Sequence, residues 1–311
     1  MVGQEWPTYW NNKTMTQQNR AYMYAGATVL LWSTVATGFK IALRELDHIQ
    51  VLFIASIVSM LSLLVVLFLQ GNGAKIRTIT ASEFKRSALV GFLNPFFYYF
   101  ILFKAFDLLP AQEAQPLNWT WPITLSLMSA LLLKQKLTVQ TMIAVVLCFL
   151  GVLIISTQGN ITALQFTNLT GDILAVGSSI IWALYWILNL KDEREPVVKL
   201  FWNFVFGSIY ITIAVIFLSE FPTSLSLSFG AAVYTGLFEM GLAFVLWLNA
   251  LRLSRDSASV GIFAYMTPFL SLIFISIVLG EKILPSSVVG LIFIIGGIVV
   301  QAFMGGRKVA Q

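Results

Sequence analysis

Ten apolar stretches follow one another along this chain, covering residues 22–43, 49–70, 87–107, 110–133, 137–157, 172–190, 198–219, 230–251, 257–280 and 283–305. A stretch of about 20 residues is long enough to cross the hydrocarbon core of a bilayer as a helix, which satisfies its own backbone hydrogen bonds there. With 58% hydrophobic and only 11% charged residues, the composition is unlike that of a soluble domain. The sequence therefore predicts an all-α polytopic membrane protein with ten transmembrane helices.

Basic residues are distributed unevenly over the predicted loops. If the N-terminus is cytoplasmic, cytoplasmic segments contain all but four of the 19 lysines and arginines. This bias predicts that both termini are cytoplasmic. Residues 1–20 then form a cytoplasmic tail without a cleavable signal peptide, 158–171 an outside loop and 306–311 a second cytoplasmic tail. The pI near 9.3 follows from this topology, so we expect no nucleic-acid partner.

Residues that commonly carry catalysis or bind metals are scarce. The sequence has one cysteine, Cys148, and one histidine, His48, far from each other. They supply neither a metal-ligand cluster nor a histidine-based triad, so we expect no enzyme, no catalytic residue, no metal and no cofactor. A passive channel is also disfavoured, because the second, fifth, seventh and tenth spans offer no continuous polar lining.

The two halves of the sequence match each other at a nearly constant interval. Matching residues, each pair 146 positions apart, are Pro122 and Pro268, Lys136 and Lys282, and Gly151 and Gly297. Each half, 21–157 and 172–305, contains five predicted helices, an odd number, so the second half enters the membrane from the opposite side. Transporters with such inverted repeats hold their substrate near the membrane midplane. Chance similarity between two hydrophobic halves is the alternative.

Longer motifs carry a resemblance to a known family. The later part of each half reads "PITLSLMSALLLKQKLTVQTMIAVVLCFLGVLIIS" at 122–156 and "PFLSLIFISIVLGEKILPSSVVGLIFIIGGIVV" at 268–300. The first helix of each half reads "LLWSTVATGFKIAL" at 30–43 and "IIWALYWIL" at 180–188. Together these motifs resemble the ten-helix drug/metabolite transporter superfamily, in its EamA-type branch. The resemblance extends from about residue 21 to residue 305 and implies transport of a small molecule.

A narrower resemblance rests on "LNWTWP" at 117–122 and "YMTPFLS" at 265–271. These motifs are similar to bacterial aromatic amino acid exporters of the YddG type, which commonly have Asn-Tyr-Leu-Trp-Pro where this chain has Asn-Trp-Thr-Trp-Pro. The resemblance implies an aromatic amino acid substrate and a location in a bacterial cytoplasmic (inner) membrane. It also implies a cavity lined by aromatic residues of the third, fourth and sixth helices, here Tyr98, Trp121 and Trp182.

The fourth span carries a polar stripe at helical spacing, formed by Gln115, Asn118, Pro122, Ser126 and Ser129. Pro122 has no backbone N–H to donate, so we expect the helix to bend there, with Pro268 as its counterpart in the second half. A bent helix with Asn118 beside it is suited to holding a polar ligand. The alternative is that the stripe joins neighbouring helices through hydrogen bonds.

Glu239 lies deep within the eighth span, and Asn94 is its counterpart in the third. We expect both to bind substrate in a central cavity, because a charge at bilayer depth is costly and is usually functional. Glu239 is either a proton-coupling site or the partner of a substrate ammonium group. A neutral glutamic acid bonded to a neighbouring helix is the alternative.

Aromatic residues near the middle of their spans complete the candidate substrate-binding site: Tyr98, Trp121, Trp182, Tyr185 and Tyr265. Such side chains offer an apolar wall, a hydrogen-bond donor and a ring face for a cation or another ring. Core packing is the alternative for each of them.

These features together predict a secondary transporter that exports amphipathic organic metabolites, aromatic amino acids first, by alternating access. We expect its cavity between the first, third, fourth, sixth, eighth and ninth spans. Another substrate on the same fold, such as a cationic drug, a different amino acid or a small carboxylate, is the alternative. The expected partners are a small-molecule substrate and the lipid bilayer, and a proton is the candidate coupling ion.

Overall fold

The computed structural model describes residues 16–132, 139–163, 166–190, 192–254, 260 and 263–305. All regular secondary structure in these ranges is helical, and seven of the helices are long and apolar enough to cross a membrane. Three parts of the sequence analysis lie outside the described residues. They are Lys136 of the repeat, residues 1–15 of the first predicted tail, and the second predicted tail at 306–311.

The helices are α1 (Gln17–Ala42), α2 (His48–Leu69), α3 (Ala81–Leu108), α4 (Ala111–Asn118), α5 (Trp121–Leu132), α6 (Val139–Ser156), α7 (Leu169–Leu190), α8 (Pro196–Leu218), α9 (Leu227–Leu253), α10 (Thr267–Leu279) and α11 (Pro285–Gly305). A short 3₁₀ turn, Gly73–Thr78, lies between α2 and α3. The seven long spans are α1, α2, α3, α6, α7, α8 and α9.

Polar side chains cap the first turn of α1, α2, α3, α8 and α9, and one of these caps corrects a predicted boundary. The apolar stretch predicted a third span from residue 87, but α3 begins at Ala81. Thr80 and Glu83 form a capping box there, in which each side chain accepts a hydrogen bond from the other residue's backbone N–H. The box satisfies backbone donors that the helix itself leaves free, so the polar first turn becomes helical ahead of the apolar residues.

Two long helices contain a wider, π-type turn: Phe92–Phe97 in α3 and Gly236–Gly241 in α9. Asn94 lies in the first turn with extended backbone angles (φ −147°, ψ 121°). Glu239, its counterpart by sequence, lies in the second. Wide turns of this kind are frequent at functional sites, because they rotate side chains away from the regular helical register.

The predicted bend at Pro122 is a complete break in the helix, which is a correction to the sequence analysis. α4 ends at Asn118, residues 119 and 120 form a turn, and α5 begins at Trp121. Pro122 therefore lies in the first turn of a new helix, where its missing N–H costs no helical hydrogen bond. Residues 265 and 266 form the matching turn before α10, with Pro268 in that helix's first turn.

Helix packing places the halves of the sequence against each other. α1 packs on α9 and α10, and α7 packs on α3, α4 and α5. α2 packs on α8, and α6 packs on α11. In this last pair Gly151 and Gly290 face each other, and a β-carbon on either would collide with the carbonyl oxygen of the other. The two glycines therefore let α6 and α11 touch backbone to backbone.

The segment after α10 is bonded to the first turn of α4. The carboxylate of Glu281 accepts hydrogen bonds from the backbone N–H groups of Ala111 (3.0 Å) and Gln112 (3.2 Å). The Gln112 side chain donates to the carbonyl oxygen of Lys282 (3.0 Å) and accepts from the N–H of Leu284 (2.8 Å). We call these contacts the Glu281 latch. The latch satisfies helix N-terminal donors with a negative charge, which also suits the helix dipole.

Candidate substrate cavity

A cavity of about 170 Å³ lies inside the helix bundle. This volume far exceeds the ~15 Å³ that one water molecule needs, so the cavity has room for a small organic solute. Its described lining comes from α1, α3, α7 and α9, from α4, α5 and the turn between them, and from residues 264–267 around the start of α10. These elements correspond to the six predicted spans. The lining residues are Trp32, Val35, Phe39, Tyr98, Leu102, Gln115, Asn118, Trp119, Trp121, Pro122, Trp182, Trp186, Glu239, Phe244, Trp247, Ala264, Tyr265 and Thr267.

Aromatic rings form most of the cavity wall. The ring of Trp182 on α7 lies 4.7 Å from that of Tyr98 on α3 and 5.9 Å from that of Phe244 on α9, measured between centroids. On the α1 side, the rings of Trp32 and Trp247 are 5.4 Å apart. These separations are typical of favourable aromatic pairs, so the rings hold one another in place. The wall can therefore offer a preformed apolar slot to a flat ring.

The position of Asn118 is compatible with both interpretations of the polar stripe. It lines the cavity, and its Oδ1 accepts a hydrogen bond from the hydroxyl of Tyr98 (3.3 Å). Its Nδ2 donates to Oγ of Ser178 on α7 (2.8 Å). The amide thus joins α4 to α3 and α7 and contributes polarity to the cavity at the same time. Because its partners fix its orientation, Asn118 is a pre-organised group rather than a mobile one.

Glu239 lines the cavity from the wide turn of α9. Its Oε1 accepts a hydrogen bond from the hydroxyl of Tyr99, at 3.2 Å. Among the lining residues that the structure describes, Glu239 is the only acidic one, and none is lysine, arginine or histidine. The described cavity is thus apolar and aromatic, with one acidic group and no described basic group.

Two of the predicted binding residues lie outside this described lining. Asn94 is fully buried, and its side chain lies beside the hydroxyl of Tyr185. Asn189 and Asn203 also adjoin that hydroxyl, so Tyr185 belongs to a separate buried polar cluster. The extended backbone at Asn94 changes the direction of its side chain relative to a regular helix. A substrate-binding role for Asn94 and Tyr185 stays a prediction.

The remaining predicted residues come together at the cavity. The lining includes six of the predicted binding residues and the predicted hinge residue Pro122. The six are Tyr98, Asn118, Trp121, Trp182, Glu239 and Tyr265. Pro268 follows the lining residue Thr267. Sequence reasoning did not single out Trp32, which lines the cavity and lies 150 positions before Trp182, close to the interval of the repeat. That spacing was the signal that could have identified it.

Comparisons with known proteins agree with this architecture. The model of the EamA-like transporter family matches the chain twice, at residues 19–157 and 169–303. An uncharacterized transporter of Archaeoglobus fulgidus is 25% identical over 271 residues, which span 85% of this chain and 91% of that protein. The uncharacterized transporter YoaV of Bacillus subtilis is 21% identical over 290 residues, spanning 91% of this chain and 96% of that protein.

A solved crystal structure is similar in fold. It superimposes with a TM-score of 0.65 at 19% sequence identity, over 94% of this chain and 99% of the other. The two family matches cover most of the sequence and are separated by the loop between α6 and α7. Seven of the described helices that they contain are apolar and long enough to cross a membrane. The chain therefore belongs to the EamA-like transporter family of the drug/metabolite transporter superfamily and is a multi-pass membrane transporter.

Proposed function

We propose that this transporter carries amphipathic organic solutes that combine an aromatic ring with an amino group, and that aromatic amino acids are its first substrates. One observation carries the proposal: the cavity has aromatic walls and a single carboxyl group, Glu239, among its described lining residues. A flat ring stacks between Trp182 and the rings of Trp32 and Phe39 on α1, and the ammonium group of the same solute contacts the carboxyl group of Glu239.

The polar groups of the cavity match the rest of an amino acid. A substrate carboxylate needs hydrogen-bond donors, and the lining offers the side chains of Asn118, Gln115 and Tyr265. Neutral donors bind a carboxylate less strongly than an arginine does, so the carboxylate adds less to affinity than the ammonium group. We therefore expect the ring and the ammonium group to dominate recognition.

Alternating access is the mechanism that this helix arrangement supports. The breaks before Trp121 and Thr267 occupy equivalent positions in the two halves, and the helix pairs exchange consistently when the halves are exchanged. Both features favour the predicted inverted repeat of ten helices. Short helices on either side of a break can tilt independently, opening one end of the cavity while the other closes.

Orientation and coupling complete the proposal. The distribution of basic residues favours a topology with both termini in the cytoplasm. Export across a bacterial inner membrane is the direction that the similarity to aromatic amino acid exporters suggests. A carboxyl group that binds a substrate ammonium group can instead bind a proton, so Glu239 is the proposed site of proton exchange. Glu239→Gln removes both functions while keeping the size of the side chain.

Transport by purified protein in liposomes tests the proposal. Labelled tryptophan, phenylalanine, a cationic amine and a small dicarboxylate are compared, with and without a proton gradient. We expect saturable uptake of the aromatic amino acids, stimulated by unlabelled aromatic amino acid on the opposite side. Uptake of every aromatic amino acid at the rate of empty liposomes would refute the substrate assignment.

A cationic aromatic amine is the second candidate substrate. It is favoured by the absence of a basic residue among the described lining residues, because a substrate carboxylate has no cationic partner there. Tryptamine and tryptophan share the ring and the amino group and differ in the carboxylate. If tryptamine is transported and tryptophan is not, the substrate class is amines rather than amino acids.

A further inference from the structure

We infer that Tyr99 is a positioning residue for Glu239: its hydroxyl holds one carboxylate oxygen, and this directs the carboxylate toward the ammonium group of a substrate in the cavity. The inference rests on the proposed function and adds a residue that the sequence did not predict. Its basis is the contact between the Tyr99 hydroxyl and Oε1 of Glu239, at 3.2 Å.

Tyr99 differs from its neighbour Tyr98 in where it lies. Tyr98 lines the cavity, whereas Tyr99 is fully buried and lies outside the described lining. Its ring centroid is 4.6 Å from that of Tyr98 and 5.3 Å from that of Phe103. This packing fixes the ring, so the hydroxyl reaches Glu239 from behind the cavity wall. Tyr99 therefore acts on a substrate only through Glu239.

The backbone of Glu239 is held separately, by contacts with α2. Ser59 donates to the carbonyl oxygen of Gly236 at 2.7 Å. A β-carbon at Gly236 would collide with the backbone of Ala55, so the wide turn approaches α2 closely. These contacts fix the position of the backbone around Glu239. The hydrogen bond from Tyr99 then determines the direction of the Glu239 carboxylate.

Within the described part of the chain, the Tyr99 hydroxyl is the hydrogen-bond partner that the structure gives the Glu239 carboxylate. The bond is longer than the 2.5–2.7 Å typical of a strong O–H···O⁻ bond, so it orients the carboxylate without replacing a counter-charge. No described basic residue lines the cavity to supply that charge. The positively charged group comes with the substrate, and Tyr99 determines how well the carboxylate is directed to receive it.

Ligand binding to purified protein tests this role. Tryptamine and tryptophol are of similar shape, but tryptamine carries an ammonium group where tryptophol has a neutral hydroxyl. Tyr99→Phe removes one hydroxyl and keeps the packed ring. We expect this variant to bind tryptamine about tenfold more weakly, a loss of about 1.4 kcal/mol, and to bind tryptophol within about twofold of wild type.

The control removes a matched hydroxyl elsewhere. Tyr210 donates to the carbonyl oxygen of Ala88, at 3.3 Å, and lies outside the described cavity lining. Tyr210→Phe is expected to leave the affinities for tryptamine and tryptophol unchanged. In a Glu239→Gln background, Tyr99→Phe is expected to have no further effect on tryptamine, because the two residues act as one unit. An unchanged preference for tryptamine in Tyr99→Phe, or additive effects of the two substitutions, would overturn the inference.

A measurement without substrate separates this inference from the proposed function. The infrared difference between wild type and Glu239→Gln isolates the carboxyl band of Glu239. Tyr99→Phe is expected to shift this band, because the carboxyl group loses a hydrogen bond. A wild-type protein that binds neither tryptamine nor tryptophan refutes the proposed substrate, whereas an unshifted band refutes the role of Tyr99 regardless of substrate.

Discussion

Glu281 joins the segment after α10 to the first turn of α4, and its replacement tests whether the latch keeps one end of the cavity closed. Gln112 of the latch lies one helical turn before Gln115, which lines the cavity. Opening that end by moving α4 away from α10 requires the latch to break. By the proposed topology, this end faces the outside of the cell.

The magnitude follows from the contacts. Glu281→Ala removes two hydrogen bonds, of 3.0 and 3.2 Å, between a carboxylate and backbone N–H groups. A hydrogen bond to a charged group contributes about 1.5–3 kcal/mol when buried, and Glu281 is only partly buried, so we assign about 2 kcal/mol to the pair. If the whole loss falls on the closed state, the open population rises roughly 30-fold. Glu281→Gln keeps an acceptor oxygen and should have a smaller effect.

Thiol labelling measures this change. Cys148 is the only cysteine of the sequence, so Cys148→Ala provides a cysteine-free background for Gln115→Cys on the cavity wall. A membrane-impermeant thiol reagent is added to vesicles in the cellular orientation. We expect Glu281→Ala to raise the labelling rate by more than tenfold, whereas Glu220→Ala, in an exposed loop predicted on the same side, leaves it unchanged. A labelling rate equal to that of the parent would refute the gating role of the latch.

Three further predictions follow from the contacts described above. Trp182→Ala removes the ring that lies against Tyr98 and Phe244, so the KM for tryptophan uptake should rise about tenfold; an unchanged KM would show that the substrate binds elsewhere. Gly290→Ala should lower the free energy of unfolding by about 1–3 kcal/mol, seen as a lower unfolding temperature in detergent. Gly296→Ala on the same helix, where a β-carbon meets nothing, is the control, and equal effects of both would refute the steric argument. Burial raises the pKa of Asp192, but hydrogen bonds and charge from Arg194, 2.6 Å away, outweigh it, so the pKa lies below its usual range. This carboxylate stabilises the fold above its unfolded pKa of about 3.9, and the contribution is lost as the pH falls through the lower folded value. Asp192→Asn should therefore unfold at a lower temperature than wild type at pH 7, with a difference that shrinks in acid; a difference independent of pH would contradict the assignment.

The apolar stretches predicted the long helices well, because the thickness of the bilayer and the mean hydropathy constrain a whole segment rather than single residues. The proline pair predicted where α4 and α5 separate, since Pro122 and Pro268 carry the signal locally. The proline alone did not predict that the helix would break completely rather than bend. It depends on the turn at residues 119 and 120, where Thr120 bonds back to Leu117 through both its N–H and its hydroxyl.

Residue type and depth predicted Glu239 at the cavity but placed Asn94 there too. Both lie in wide turns, and the direction of a side chain in such a turn depends on local backbone angles that the sequence pattern does not specify. Tyr99 could not be identified for a similar reason. Tyr98 and Tyr99 are adjacent and chemically identical, and only the packed structure determines which one faces the cavity and which one lies behind it.

The contact between Gly151 and Gly290 constrains how this sequence can evolve. A larger side chain at either position needs the two helix backbones to separate, and separation removes the benefit of a small residue at the other. The two positions are therefore expected to change together among relatives. Either both residues are small, or both are larger and the two helices are farther apart. Covariation between these positions would mark the α6–α11 seam even in relatives whose cavity residues and substrates have diverged.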